Sequence, residues 1–256
     1  MTATRTPVCE LLGIEQPIVL APMVGVPRLA AAVSDAGALG MLTLTWSEDV
    51  GAVVRETAAL TGRPFCGNLV LTEDRHRRLD QALDAGLRIV SFFMGDPSGY
   101  VQRVHDAGGI VMHTVGTAEE ARRAVASGVD VIVAQGWEAG GHVWGTVATL
   151  PLVPAVVDAV APVPVIAAGG IGDARGVAAV LALGAQAAWL RPIRSDTPTC
   201  TRSGGPTPPT ARSATQPPTR GRLRAAPRSR SGRERVMSSR TSPPARPSSA
   251  TNPRRR

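Results

Sequence analysis

The segment Ala134–Gly145, AQGWEAGGHVWG, gathers several groups that could do chemistry. His142 is one of four histidines and directly follows Gly140 and Gly141. Two adjacent glycines let a backbone lie close to a ligand and leave the neighbouring imidazole reachable. An imidazole titrates near neutral pH, so it can move a proton or hold an anion. Gln135 adds an amide that both donates and accepts. His76 and His105 fall on helical stretches, where solvation is expected. His113 ends an apolar run and stays an outside candidate.

Three further places have the composition of binding surfaces. Ala21-Pro22-Met23 is a small, N–H-poor and polarizable corner, suited to lie against a flat apolar ring; a plain tight turn is the alternative. Asn68, in FCGNLVL, is a polar residue among apolar neighbours. Its amide needs partners, either a heteroaromatic edge or groups of its own loop. Ala167–Asp173, AAGGIGD, puts small residues with free N–H groups at the start of a helical stretch, the composition of an anion site.

The elements that carry these residues repeat. An Ala-rich helical stretch ends in a small residue and Gly, and a short apolar run follows. SDAGALGML, LDAGLRIVSFF, HDAGGIVMHTV, ASGVDVIVAQG and LGAQAAWL all have this form. The glycines (Gly37, Gly86, Gly108, Gly128, Gly184) stand where a helix C-cap takes a positive φ. Nearly continuous apolar runs of four to six residues indicate parallel strands buried on both faces. Eight are expected: 17–22, 38–42, 65–71, 88–93, 109–114, 130–135, 164–169 and 185–190, with seven helical stretches between them. Eight βα units imply an α/β fold of the TIM (β/α)8 barrel type. An open dinucleotide-binding sheet fits less well, because PIVLAPMVGVP stands where G-x-G-x-x-G would follow the first strand. In a barrel the active site lies at the C-terminal ends of the strands, where every candidate above falls.

The stretch from VAQGWEAGGH through TLPLVPAVVDAVAPVPVIAAGGIGDARGVAAVLALGA resembles the nitronate monooxygenase (2-nitropropane dioxygenase) family in order and spacing. The resemblance covers about residues 12–190. It implies an FMN-dependent TIM-barrel flavoprotein. Pro22 and Met23 would lie against the isoalloxazine ring, and Asn68 and Gln135 would hydrogen-bond the flavin. Gly140 would sit close to it, and His142 would be the active-site histidine. Gly169 and Gly170 would bind the phosphate through backbone N–H groups. Ala21 and Gly141 complete the expected cofactor-binding set. The FMN-using bacterial enoyl-acyl carrier protein reductase looks similar over the same stretch. The resemblance therefore implies oxidation of nitronates by oxygen, or alternatively an NAD(P)H-dependent flavin reductase.

The resemblance stops after Leu190. The family continues with a Gly-Thr-Arg-Phe type sequence that supplies the second half of the phosphate site; this chain reads Arg191-Pro192-Ile193-Arg194. Charge changes sharply at the same point. Residues 1–190 carry 12 Arg and 18 acids, residues 191–256 carry 16 Arg and 2 acids, and there is no Lys. Arg, Pro, Ser, Thr, Ala and Gly make up 57 of the last 66 residues, too little apolar surface to offset the cost of ordering a chain. The expectation is a barrel over 1–190 lacking its last helix, followed by a disordered tail over 191–256. An out-of-frame reading of a GC-rich gene accounts for such a tail. A natural basic tail with non-specific nucleic-acid affinity, on a catalytically dead barrel, is the alternative; it lacks aromatic residues to stack on bases. With half of the phosphate site replaced, FMN is expected to bind weakly and riboflavin almost as well.

Other chemistries find little support. Cys9, Cys66 and Cys200 have neither metal-ligand nor redox spacing, so no metal is expected. Their odd number and an N-terminus without an apolar h-region suggest a reduced, cytoplasmic protein. No apolar run approaches the ~20 residues of a membrane span. The expected partners are a small nitronate or nitroalkane and oxygen.

Overall fold

The computed structural model of the protein describes residues 5–22 and 26–191. They belong to the first of two units, Met1–Gly205. The second, Pro206–Arg256, lies outside the described residues, and so do the expected tail disorder and missing last helix. The elements run α1 (Pro7–Leu12), β1 (Ile18–Leu20), α2 (Pro27–Asp35), β2 (Gly40–Thr43), α3 (Val50–Leu60), β3 (Phe65–Val70), α4 (His76–Asp84) and β4 (Ile89–Phe93). They continue with α5 (Ser98–Asp106), β5 (Ile110–Val115), α6 (Ala118–Ala126), β6 (Val131–Gln135), α7 (Thr149–Val160), β7 (Val165–Ala168), α8 (Ala174–Ala182) and β8 (Ala187–Leu190).

All eight expected strands form, and all neighbours pair in parallel in the order β1-β8-β7-β6-β5-β4-β3-β2. A parallel bridge between Val19 and Leu39 joins β1 to β2 and closes the ring. The described residues form a TIM barrel. The five repeat glycines have φ between +71° and +98°, so each helix turns back into its strand through a conformation that L side chains rarely adopt.

Alternation along the strands sorts the side chains into two cores. Leu69, Val90, Phe92, Val111 and Ile132 point outward and pack against the helices. Met41, Cys66, Ile89, Met112, Val131 and Ile166 point inward and fill the barrel. The bottom is closed by α1, which places Val8, Cys9 and Leu12 in the same inner cluster. This helix was not among the seven expected. It has only six residues, but its Pro at the first turn and its left-handed Gly13 cap are ordinary helix boundaries. Full burial of a side chain such as Leu12 contributes about 1.5–3 kcal/mol, so a single turn suffices as a plug. The residue immediately before the helix caps three outer helices with its side chain: Asp49 on α3, Thr117 on α6 and Asp173 on α8.

Candidate active site

The inward positions become polar or small towards the C-terminal ends of the strands, and there the core opens into a cavity of 310 Å³. Ala21 and Pro22 form one wall, and Ala168 with Trp189 the wall beside it. Met23 lies outside the described residues. Thr43, Asn68 and Thr114 face inward on β2, β3 and β5 and also line the cavity.

Asn68 is 4% exposed. Its Nδ2 donates to the Ser91 carbonyl at 3.2 Å and approaches the Ser91 hydroxyl at 3.4 Å. Among the described residues nothing donates to its Oδ1, so that oxygen remains for a ligand. Thr43 pairs with Asn68 in the β2–β3 register, and its buried hydroxyl has no partner among the described residues. Sequence reading missed Thr43. Its only signal was a polar residue at an inward position one step past the expected end of the second strand.

The loop over 136–148 connects β6 to α7 and carries His142. Gln135, the last residue of β6, turns its amide to this loop: Nε2 donates to the His142 carbonyl at 3.1 Å, and Oε1 accepts from the Trp144 N–H at 2.9 Å. One N–H of Nε2 is left, and Gln135 still lines the cavity. Gly140, Gly141 and His142 line it as well. The exposed His142 ring stacks on Trp46 of the β2–α3 loop, with centroids 6.4 Å apart.

Opposite this loop, β7 ends in Gly169 and Gly170, with φ of +110° and +68°. No described residue accepts a hydrogen bond from the N–H groups of Gly169, Gly170, Ile171 or Gly172. The start of α8 itself is occupied. Asp173 accepts from the Arg175 and Gly176 N–H groups, and the Arg175 guanidinium beside it, followed by these backbone bonds, holds its carboxyl down to about 2. An anion is therefore left the turn over 169–172 rather than the helix N-terminus. Arg191, the last described residue, lines the same cavity as Gly169 and Gly170 and lies over Gly140.

Glu138 is a second residue that sequence reading did not single out. Its carboxylate accepts from the Thr149 N–H at 2.9 Å and caps α7. Burial pulls its carboxyl upward, but hydrogen bonds from its own backbone and from the Thr149 N–H and hydroxyl outweigh this and hold it below the usual carboxylate value. The Thr149 hydroxyl lies 3.0 Å from both Glu138 Oε2 and the Gly169 carbonyl, so one threonine joins the His142 loop to the β7 turn.

The other histidines stand apart from this mouth. His113 shares the outward parity of Val111 and Val115 and lines a separate cavity with Asp96, Glu120 and Arg123; as an outside candidate it is corrected, because it points into the helix layer. His105 is not simply solvated, since its Nε2 lies 2.9 Å from Asp130 Oδ2. His76 opens α4 and stacks on Tyr100. Cys66 sits inside the barrel, where burial pushes its thiol well above the usual value and keeps it protonated. No cluster of three potential metal ligands occurs among the described residues, and no described helix is long and apolar enough to cross a membrane.

A sequence model described as nitronate monooxygenase matches residues 5–77 and 70–191. An octahydro-indene carboxyl-CoA dehydrogenase of Mycobacterium tuberculosis is 41% identical over 189 residues, covering 71% of this chain and 53% of the relative. A nitronate monooxygenase of Pseudomonas aeruginosa is 37% identical, covering 71% of this chain and 66% of the relative. The solved structure of FabK from Thermotoga maritima superposes with a TM-score of 0.70 at 38% identity, covering 73% of this chain and 61% of that one. The chain thus spans about half to two thirds of the length of the relatives it matches.

Proposed function

Because the chain belongs to the nitronate monooxygenase family, we propose that it is an FMN-dependent oxidoreductase that oxidises alkyl nitronates or nitroalkanes with oxygen at the barrel mouth. One observation carries the reading: a single cavity brings His142 together with Asn68, Gln135 and the unbonded N–H groups of Gly169 and Gly170.

The residues present fit this cofactor. Ala21 and Pro22 offer an apolar wall for a ring system, with Met23 next in sequence. The free Oδ1 of Asn68, the orphaned hydroxyl of Thr43 and the remaining N–H of Gln135 suit a polar heteroaromatic edge. Gly169 and Gly170 present N–H groups to a phosphate, and Arg191 adds a cation to the same cavity. FMN held there would supply the electron acceptor for substrate oxidation, with oxygen as the terminal oxidant.

His142 acts on the substrate side. As imidazolium it holds the anionic nitro oxygens of a nitronate; as neutral imidazole it removes the α-proton of a neutral nitroalkane. Gly140 and Gly141 line the same cavity as this ring. Trp46, stacked on His142, lines the same cavity.

Oxygen uptake by the FMN-loaded chain tests the reading. A neutral nitroalkane should be consumed, and His142→Ala should lower kcat by about 100-fold or more, the usual contribution of a positioned base. Unchanged uptake in His142→Ala removes His142 from the reaction. A second reading, an NAD(P)H-dependent flavin reductase, is favoured by the similarity to the dehydrogenase and to FabK. Anaerobic mixing with NADH separates the two: rapid bleaching of the flavin supports the reductase, and an unchanged flavin spectrum supports the nitronate enzyme.

A further inference from the structure

We propose that Gln135 is a positioning residue whose side-chain amide stands in for a strand peptide and holds the β6–α7 loop so that His142 faces Trp46 over the cavity. Its effect on turnover rests on the role proposed for His142; the contact itself does not.

The loop over 136–148 contains four glycines, Gly136, Gly140, Gly141 and Gly145, and so has much backbone freedom to lose. Its base is pinned, with Trp137 N–H donating to the Val147 carbonyl at 2.9 Å and Ala139 N–H to the Gly136 carbonyl at 3.1 Å. Near its far end the backbones of Gly116 and Gly145 cross so closely that a Cβ on either would meet the other's Cα at about 2.5–2.6 Å. Over 140–146, the described hydrogen bonds to backbone groups are the two made by Gln135. They flank Val143 as a neighbouring strand would, donating to the carbonyl before it and accepting from the N–H after it.

The two partners also fix which way the amide points. A carbonyl can only accept and a backbone N–H can only donate, so Nε2 faces His142 and Oε1 faces Trp144. Gln135→Glu keeps the shape but sets a carboxylate oxygen against the His142 carbonyl. Gln135→Met keeps the length and removes both bonds.

The Trp46–His142 stack gives a readout that needs no flavin or substrate, because a protonated imidazole against an indole quenches its fluorescence. The flavin-free full chain should show a quenching step as the imidazole gains its proton. The step should vanish in Trp46→Phe and in His142→Ala. It should also vanish in Gln135→Glu and Gln135→Met, while hydrogen exchange of the Trp144 amide speeds up about tenfold. Gln135 is only partly buried, so both variants should fold. Either folded variant suffices for the test. Retention of the wild-type step, an unchanged Trp144 exchange rate, or no step in the wild type would each overturn the proposal. Failure of nitronate oxidation would leave both measurements readable.

Discussion

Trp46 and His142 stack across the barrel mouth with their ring planes 27° apart. The indole comes from the loop after β2 and the imidazole from the loop after β6, so the contact joins loops from well-separated strands of the ring. Trp46 is 64% exposed, so it contributes little to the core. Trp46→Ala should change unfolding free energy by about 0.5 kcal/mol or less. It should nevertheless lower kcat/KM for a nitronate about tenfold, a loss of about 1.4 kcal/mol in transition-state stabilisation. Denaturant unfolding and steady-state kinetics on the same preparation check both statements.

Thr149 joins three parts of the site, so its removal should be felt in stability as well as in binding. Thr149→Ala loses the hydroxyl shared by Glu138 and Gly169 while keeping the backbone N–H that Glu138 caps. The expected cost is about 1 kcal/mol, seen as a fall in Tm of roughly 2–4 °C for a domain of this size. Glu138→Gln should cost less, since an amide oxygen still accepts from the Thr149 N–H. Thermal unfolding monitored by circular dichroism measures both.

His113 makes stability depend on pH. Burial in the helix layer pulls its imidazole down to about 4, and the partial opposition of Asp96, Glu120 and the Phe92 carbonyl does not restore it. The unfolded chain takes up this proton near 6.5 and the folded chain only near 4, so the unfolded state binds more protons between the two values. Stability should therefore fall as pH drops from 6.5 towards 4, by about 2 kcal/mol already at pH 5. His113→Leu should flatten this part of the profile. Urea unfolding at pH 7, 6 and 5 gives the slopes; equal slopes in the two proteins would contradict the assignment.

The barrel was legible in the sequence because parallel strands covered on both faces must be nearly continuous apolar runs, and because each repeat glycine ends a helix two or three residues before the next strand. The candidate site was legible where chemistry and strand ends coincide: Asn68, Gln135, His142 and the glycines after β7 line one cavity. What escaped depends on the direction of a side chain or on a distant partner. His113 and Thr114 are adjacent, yet parity sends one into the helix layer and the other into the cavity. Gln135 reads as a ligand to a cofactor, but its bonds to His142 and Trp144 require the loop to fold back over the strand end. Thr149, distant in sequence from Gly169, gave no signal at all. Arg191 reads as the start of an unrelated tail whose charge could partly replace the lost half of the phosphate site, but only the structure gives its geometry: the side chain lines the mouth.

Arg191 bears on the relative affinity for the two flavins. With half of the phosphate site replaced, riboflavin was expected to bind almost as well as FMN. A guanidinium in the cavity of Gly169 and Gly170 restores part of the charge complement, and a charge-assisted bond of about 1.5–3 kcal/mol corresponds to roughly tenfold or more in affinity.

Titration of FMN and riboflavin against the full chain, followed by quenching of flavin fluorescence, therefore tests the central claim that the barrel mouth is a flavin site. The prediction is saturable binding of one flavin per chain, with FMN about tenfold tighter than riboflavin and the difference largely abolished in Arg191→Ala. Absence of saturable binding by either flavin, or FMN binding untouched by both Arg191→Ala and Asn68→Leu, would contradict it.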